Sequence, residues 1–240
     1  MQISVPDSER FGIHVARTRL ETLEDLDETH ALARARGLDM LIVRVATRQR
    51  AVAAALRRVA GEPLDEILYF EGAIPAEPVS PAARRVRSRC ATASDAGDMA
   101  AIARHAFAGY CGHYHADPRL PRHCCDEVYA SWAARCCSER GVADSVQLLT
   151  DETDDLLGFC ALKLLDAATC EFGLNAIAPE HQHRGLYRQL LGMCFEWARQ
   201  QGASRWASST QLANTRVVGA WRRRGWRESS RDWTYHWWLT

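Results

Sequence analysis

No continuous stretch of about 20 apolar residues occurs in this sequence, so no segment reads as a helix that crosses a bilayer. The first ten residues, Met1 to Arg10, lack the long apolar core of a secretory signal, and the expectation is a cytoplasmic protein. An excess of charge is missing as well: 30 Lys and Arg balance 30 Asp and Glu, a formal net charge of zero. Proteins held to nucleic acid or to membrane surfaces by bulk electrostatics are usually basic, so the balance argues against both partners. Cys-x-x-Cys is absent although there are nine cysteines. The adjacent pairs Cys124-Cys125 and Cys136-Cys137 have poor zinc-ligand spacing, and on one helix Cys125 and Cys136 lie about three turns apart. Reduced, mostly buried thiols and no metal site are the expectation.

Apolar residues make up 47% of the 240, enough for a core in one large domain or two small ones. Pro75, Pro78 and Pro81 recur every third residue, which favours an extended linker over residues 75–83. The expected organisation is an α/β segment over 1–74, that linker, and a second domain over 84–240. In the first segment strands are expected at Phe11 to Leu20, Met40 to Val45 and Ile67 to Phe70, with helices at Asp25 to Arg36 and Arg48 to Ala60. It shows no chemical motif. In the second, Asp95 is expected to cap a helix, and three strands form a meander ending at Cys170 to Ala178. Helix, strand, helix and strand then alternate to the end.

The informative run is Ile177-Ala178-Pro179-Glu180-His181-Gln182-His183-Arg184-Gly185-Leu186-Tyr187. An apolar strand ends at a proline, and a basic turn places a glycine where an amphipathic helix begins. The first backbone N–H groups of a helix are unpaired and carry partial positive charge, so such a turn can hold an anion. Simple turn chemistry would explain a single glycine there equally well.

Gln182-x-x-Gly185-x-Tyr187 resembles the Gln/Arg-x-x-Gly-x-Gly/Ala motif of the GCN5-related N-acetyltransferases (GNAT), with tyrosine at the last position. The order of elements is similar too, down to an Asn-initiated helix that ends in Arg224-Gly225-Trp226. Phe11-Gly12, Tyr129-Ala130-Ser131-Trp132 and Thr210-Gln211-x-x-Asn214-Thr215 look like the dTDP-fucosamine acetyltransferase group. That resemblance implies a mixed, mainly antiparallel sheet flanked by helices. It also implies acetyl-CoA as co-substrate and, as the other partner, a primary amine on a nucleotide-linked 4-amino-4,6-dideoxy sugar. An acetyltransferase for another amine, or an acyl-CoA-binding module without turnover, are the alternatives; a homodimer is left open.

By the same resemblance the pyrophosphate sits on the turn formed by Gln182, His183, Arg184, Gly185, Leu186 and Tyr187. The pantetheine runs along Leu174, Asn175, Ala176 and Ile177, with Asn214 close by unless it merely caps its helix. An amine near pKa 10 is protonated at neutral pH and needs a base. Glu171, at the start of the strand, is the first candidate, against a solvated strand-edge carboxylate. His236 is the second, against a buried histidine without a catalytic part. Trp221 stands where relatives carry the tyrosine that protonates the leaving thiolate, and Tyr235 is a substitute donor. Tyr114 and Arg119, in a His-rich loop, are candidates for stacking on the acceptor and gripping its phosphate, against an ordinary polar loop. Trp233, Tyr235 and Trp237 share one face of the last strand, most simply a core face.

Overall fold

The computed structural model describes residues 1–76 and 86–239, so Pro78 and Pro81 of the expected linker lie outside the described residues. The chain opens with β1 (Gln2–Ile3) and helix α1 (Val5–Phe11), which carries Pro6 in its first turn and is closed by Gly12 at φ +66°. A strand was expected to begin at Phe11; instead β2 spans Val15–Leu20. Proline at a helix start costs no hydrogen bond, and glycine supplies the left-handed stop, so seven residues suffice for α1. Next come α2 (Leu23–Ala35), held by a Thr22/Asp25 capping box, β3 (Met40–Ala46), α3 (Arg50–Ala60) and β4 (Asp65–Ala73).

After β5 (Arg87–Cys90), α4 spans Ala96–Ala106. Asp95 does not cap α4 with its side chain; it reaches back to Thr92 N and pairs with Arg89 at 2.7 Å. The His-rich stretch, expected to be a loop, forms the short helices α5 (His113–Ala116) and α6 (Arg122–Asp126) before α7 (Val128–Ser138). The meander is β6 (Ser145–Thr150), β7 (Leu156–Leu164) and β8 (Thr169–Ile177). Helix α8 (Leu186–Gln200), β9 (Arg205–Gln211), α9 (Thr215–Arg223) and β10 (Arg227–Trp238) complete the chain.

Two compact units share these elements, and they do not follow a single cut in the sequence. Unit 1 gathers Met1–Phe70, Cys111–Cys125 and Ser209–Thr240; unit 2 gathers Glu71–Tyr110 and Asp126–Ser208.

In unit 1, β2 pairs parallel with β3, and β10 pairs antiparallel with β3. Side chains alternate across a strand, so the register sorts them onto two faces. Leu41, Val43 and Val45 share one face with Tyr235 and Trp237, and pack under Val52 and Leu56 of α3. His30 of α2 stacks on Trp237 at 4.9 Å. The other face carries Arg17, Arg19, Arg44, Asp232, Thr234 and His236.

In unit 2, β5, β6, β7 and β8 form antiparallel neighbours, and β8 pairs parallel with β9. Met99, Ala103, Ala133 and Cys136 of α4 and α7 bury against Val146, Leu148, Phe159 and Leu174. Helix α8 buries Leu186, Leu190, Leu191, Cys194 and Ala198, the apolar stripe read from the sequence; Trp197 at its edge is half-buried.

Candidate functional site

The turn before α8 is built from backbone conformation. Pro179–His181 form one turn of 3₁₀-helix, and the Gln182 side chain donates to the Ile177 carbonyl at 3.0 Å, tying the turn to the end of β8. His183 at φ +62° and Gly185 at φ +77° then both adopt left-handed conformations. Gly185 is the N-cap of α8, and no side chain caps the helix. A Cβ at Gly185 would meet nothing within 4 Å, so glycine is needed for its φ and the space above it is open. Alternation of left- and right-handed residues at a helix start makes a concave row of N–H groups, the geometry that suits a pyrophosphate. Arg184 and Arg188 add positive charge nearby in the chain.

Strand β8 supplies a second set of backbone groups. Its parallel pairing with β9 runs over Thr169–Glu171 against Arg205–Ala207, after which Ser208 Oγ donates to the Phe172 carbonyl at 2.7 Å. β8 itself continues to Ile177. On its other edge the register with β7 shifts: Cys160 faces Asn175 and Leu162 faces Phe172, so Gly173 and Leu174 together oppose Ala161. Such a bulge leaves an extra residue out of the ladder and re-aims the backbone. Asn175 Nδ2 donates to Gly173 O at 2.7 Å, across the bulge. Leu174, Asn175, Ala176 and Ile177 thus lie on the stretch beyond the β9 pairing, and Glu171 marks its start. A linear amide chain such as pantetheine pairs with backbone in this arrangement as an added strand would.

Unit 1 holds Asn214, which caps α9: Oδ1 accepts from Val217 N at 3.4 Å and Nδ2 donates to Thr210 Oγ1 at 3.0 Å. Trp221 is 2% exposed, edge-on to Phe70 at 5.1 Å and tilted against Trp226 at 5.3 Å. Tyr235 is fully buried in the apolar face described above, and its hydroxyl has no hydrogen-bond partner among the described residues. Burial pushes its phenol above the ordinary value.

Two residues of the His-rich stretch and one of β10, all candidate site residues, have their polar groups engaged within the chain. Tyr114 is buried, its ring packs on Phe11 and His113, and its hydroxyl donates to Asp7 at 2.9 Å and meets Arg17; no face is left for stacking on a ligand. Arg119 is held by Asp117 through Nε at 2.8 Å and Nη2 at 3.0 Å, with its guanidinium over the Trp238 ring at 4.7 Å. Its fork is therefore committed to a carboxylate of its own chain. His236 has both ring nitrogens engaged. Nδ1 lies 2.8 Å from Asp117 Oδ2, which fixes the proton there, and Nε2 then accepts from His113 Nδ1–H at 2.7 Å. With 1% exposure it is a buried, hydrogen-bonded histidine.

The sequence did not reveal this Asp117–His236–His113 chain, because His236 lies 119 positions from Asp117 and 123 from His113. Burial, together with His236 and Arg17, holds His113 well below the ordinary imidazole value, so it stays neutral. Asp117 is also buried, which alone would raise its pKa. The donors His236, Arg119 and Trp238 outweigh that and hold it below the usual carboxylate range. Asp7 follows the same pattern with Arg17, Ser4 and Tyr114. The cysteines are free thiols, and burial pushes Cys136 and Cys170 up to about 12. Among the described residues no group of three or more His, Cys, Asp or Glu is arranged to hold a metal ion, and no helix is long and apolar enough to cross a membrane.

Residues 111–226 match the model of the acetyltransferase (GNAT) family. No curated protein sequence matches the chain. Solved structures do. A GCN5-related N-acetyltransferase from Sphaerobacter thermophilus is similar with a TM-score of 0.59 at 14% identity, over 90% of this chain and 67% of that one. A tandem GNAT protein from the clavulanic acid biosynthesis pathway gives 0.62 at 13% identity, over 90% of this chain and 69% of that one. A functionally unknown conserved protein from Staphylococcus epidermidis gives 0.63 at 12% identity, over 97% and 88%. At such identities the likeness establishes the fold, which is that of the GNAT acetyltransferases. Residues 111–226 thus resemble the GNAT family in sequence, and the chain has the fold of its acetyltransferases.

Proposed function

We propose that the chain acetylates the primary amine of a nucleotide-linked amino sugar of the dTDP-4-amino-4,6-dideoxyhexose type. The observation that carries the transfer chemistry is the end of the β8–β9 pairing at Glu171, followed by a bulged strand and a glycine-capped helix. The choice of sugar rests on the short motifs around Phe11, Tyr129 and Asn214.

In this reading the turn amides from Gln182 to Tyr187 hold the pyrophosphate, and Leu174 to Ile177 pair with the pantetheine. The amine nitrogen attacks the thioester carbonyl carbon. A C–N bond forms, the C–S bond breaks, and the sulfur leaves as thiolate. A backbone N–H of β8 aimed at the developing oxyanion stabilises the transition state by about 3 kcal/mol. Glu171 takes the amine proton, directly or through water, a contribution of roughly 10²–10⁴-fold. Trp221 replaces a proton donor with an indole, so the thiolate leaves unprotonated; its pKa, near that of free cysteine at about 8.5, permits this.

Coenzyme A release is to be measured with dTDP-, UDP- and GDP-linked amino sugars beside simple amines, amino acids and peptides. Preference for a dTDP-linked sugar is expected. Faster turnover of an amine without a nucleotide would overturn the sugar assignment and leave the class intact.

A further inference from the structure

In unit 2, strand β8 has two neighbouring carbonyls that are each met by a side chain. The parallel register of β8 with β9 advances one residue at a time, from Thr169 against Arg205 to Glu171 against Ala207. The pairing ends one rung before Phe172 would meet Ser208. At that rung the Ser208 hydroxyl donates to the Phe172 carbonyl at 2.7 Å. One residue further along β8, Nδ2 of Asn175 donates to the Gly173 carbonyl, also at 2.7 Å.

These carbonyls stand at the bulge, where Gly173 and Leu174 together oppose Ala161. A bulge interrupts the ladder that elsewhere fixes the direction of each peptide group. A trans peptide is planar, and its N–H points opposite to its C=O. Anchoring the Phe172 carbonyl therefore fixes the Gly173 N–H. Anchoring the Gly173 carbonyl fixes the Leu174 N–H in the same way. The Phe172 anchor lies deep: Phe172 is 1% exposed and Ser208 4%. A hydroxyl at that depth needs a partner, and the Phe172 carbonyl supplies it. Away from water such a bond is electrostatically strong. The Phe172 ring is held as well, packed on Phe195 of α8 at 5.2 Å.

We propose that Ser208 and Asn175 are positioning residues for acetyl transfer, which hold the peptide groups of the β8 bulge in the direction that aims a backbone N–H at the thioester carbonyl. The inference rests on the seating of acetyl-CoA along β8 proposed above. Each side chain acts through the main chain and not by contact with the reacting atoms. An oxyanion is a small target, and a donor displaced by a fraction of an ångström loses much of its effect. The pyrophosphate, in contrast, goes to the turn before α8, which neither side chain shapes. Loss of an anchor therefore acts on kcat and spares cofactor binding.

The test uses the full chain as wild type, Ser208→Ala, Ser208→Thr and Asn175→Ala, with a melting temperature for each. Kinetics are measured with the amine that wild type acetylates fastest. Ser208→Ala and Asn175→Ala should each lower kcat about tenfold, short of the roughly 10²–10³ lost with a whole oxyanion donor, and leave the acetyl-CoA KM within about twofold. Ser208→Thr keeps the hydroxyl and should retain kcat within about threefold. Amide NMR spectra of isotope-labelled wild type, with and without acetyl-CoA, separate this inference from the reading beneath it. If no resonance from Gly173 to Ile177 shifts on binding, the seating on β8 falls and the inference with it. If those resonances shift while folded Ser208→Ala keeps the wild-type kcat, only the inference falls. A rise in the acetyl-CoA KM as large as the fall in kcat also overturns it, since the anchors would then serve binding. A wild type that binds acetyl-CoA and acetylates no amine overturns both. Should Ser208→Ala fail to fold, Asn175→Ala decides: an unchanged kcat overturns the proposal.

Discussion

The two units present polar groups in opposite ways. In unit 2 the groups proposed to hold the cofactor are main-chain amides, placed by two left-handed residues before α8 and by a bulge in β8. In unit 1 the polar groups are side chains that are buried and joined in chains: Asp7 with Arg17 and Tyr114, Asp117 with His236 and His113, Asp232 with Arg19 and Tyr69. A backbone site is robust to most side-chain changes and fails when the dihedral angle that shapes it is lost. A buried side-chain network fails when any member is removed, since the remaining charges or donors stay behind unpaired. The buried polar networks of unit 1 therefore offer more positions at which one polar substitution leaves a partner unpaired.

The sharpest way to break this contrast is Gly185→Asp. It places a side chain and a negative charge on the one turn position whose φ of +77° favours glycine. The acetyl-CoA KM should rise on the order of 100-fold, about 2.7 kcal/mol, within the range of one lost charge-assisted phosphate contact. Circular dichroism should show a folded protein, because no atom lies within 4 Å of the added Cβ. A folded variant with unchanged cofactor affinity would remove the anion role from this turn.

Asp117→Asn probes the other unit and should act on stability. The amide presents a donor to at least one of three groups that donate to Asp117: His236 Nδ1, the Arg119 fork and Trp238 Nε1. Loss of one partner in a buried charged network costs about 3–5 kcal/mol, to be read from urea unfolding. The pH dependence fixes the sign. The folded pKa of Asp117 lies below the unfolded one, so its contribution is present above about pH 4 and lost as pH falls from there. Asp7 and Asp95 are lowered likewise, so acid unfolding should become shallower in Asp117→Asn but persist. An identical acid limb in both proteins would mean that Asp117 is not held ionised by its partners.

What the sequence disclosed divides along the same line. The turn at Gln182–Tyr187 was legible because backbone chemistry writes itself locally: a strand, a proline, a glycine and an amphipathic stripe within a few residues. The bulge at Gly173–Leu174 was not, since it exists only in the register between β7 and β8. The histidine chain joins residues more than 100 positions apart, and no local pattern encodes such a pairing. Helix α1 was missed because seven residues are too few for a helical period to show. The units themselves interleave because long-range pairing, β10 on β3 above all, outweighs the proline-spaced boundary that composition suggested.

The smallest effects belong to the two residues considered for protonating the thiolate. Trp221 packs edge-on against Phe70 and is almost wholly buried, so Trp221→Phe keeps much of the shape and should lower kcat less than about tenfold. Its cost should appear in stability, roughly 1–3 kcal/mol for a smaller ring in a filled space. Tyr235→Phe should do less still. The Tyr235 ring lies in the apolar face of unit 1, and its hydroxyl is buried with no partner among the described residues. A phenol whose pKa burial has raised is a poor proton donor to a thiolate of pKa about 8.5. Removing an unsatisfied buried hydroxyl also removes its desolvation penalty, so the variant should gain about 1 kcal/mol in stability at unchanged kcat. The two readouts together separate the roles, because a packing residue moves only the melting curve. A hundredfold fall in kcat in folded Tyr235→Phe would place the acid there and refute departure of the thiolate without one.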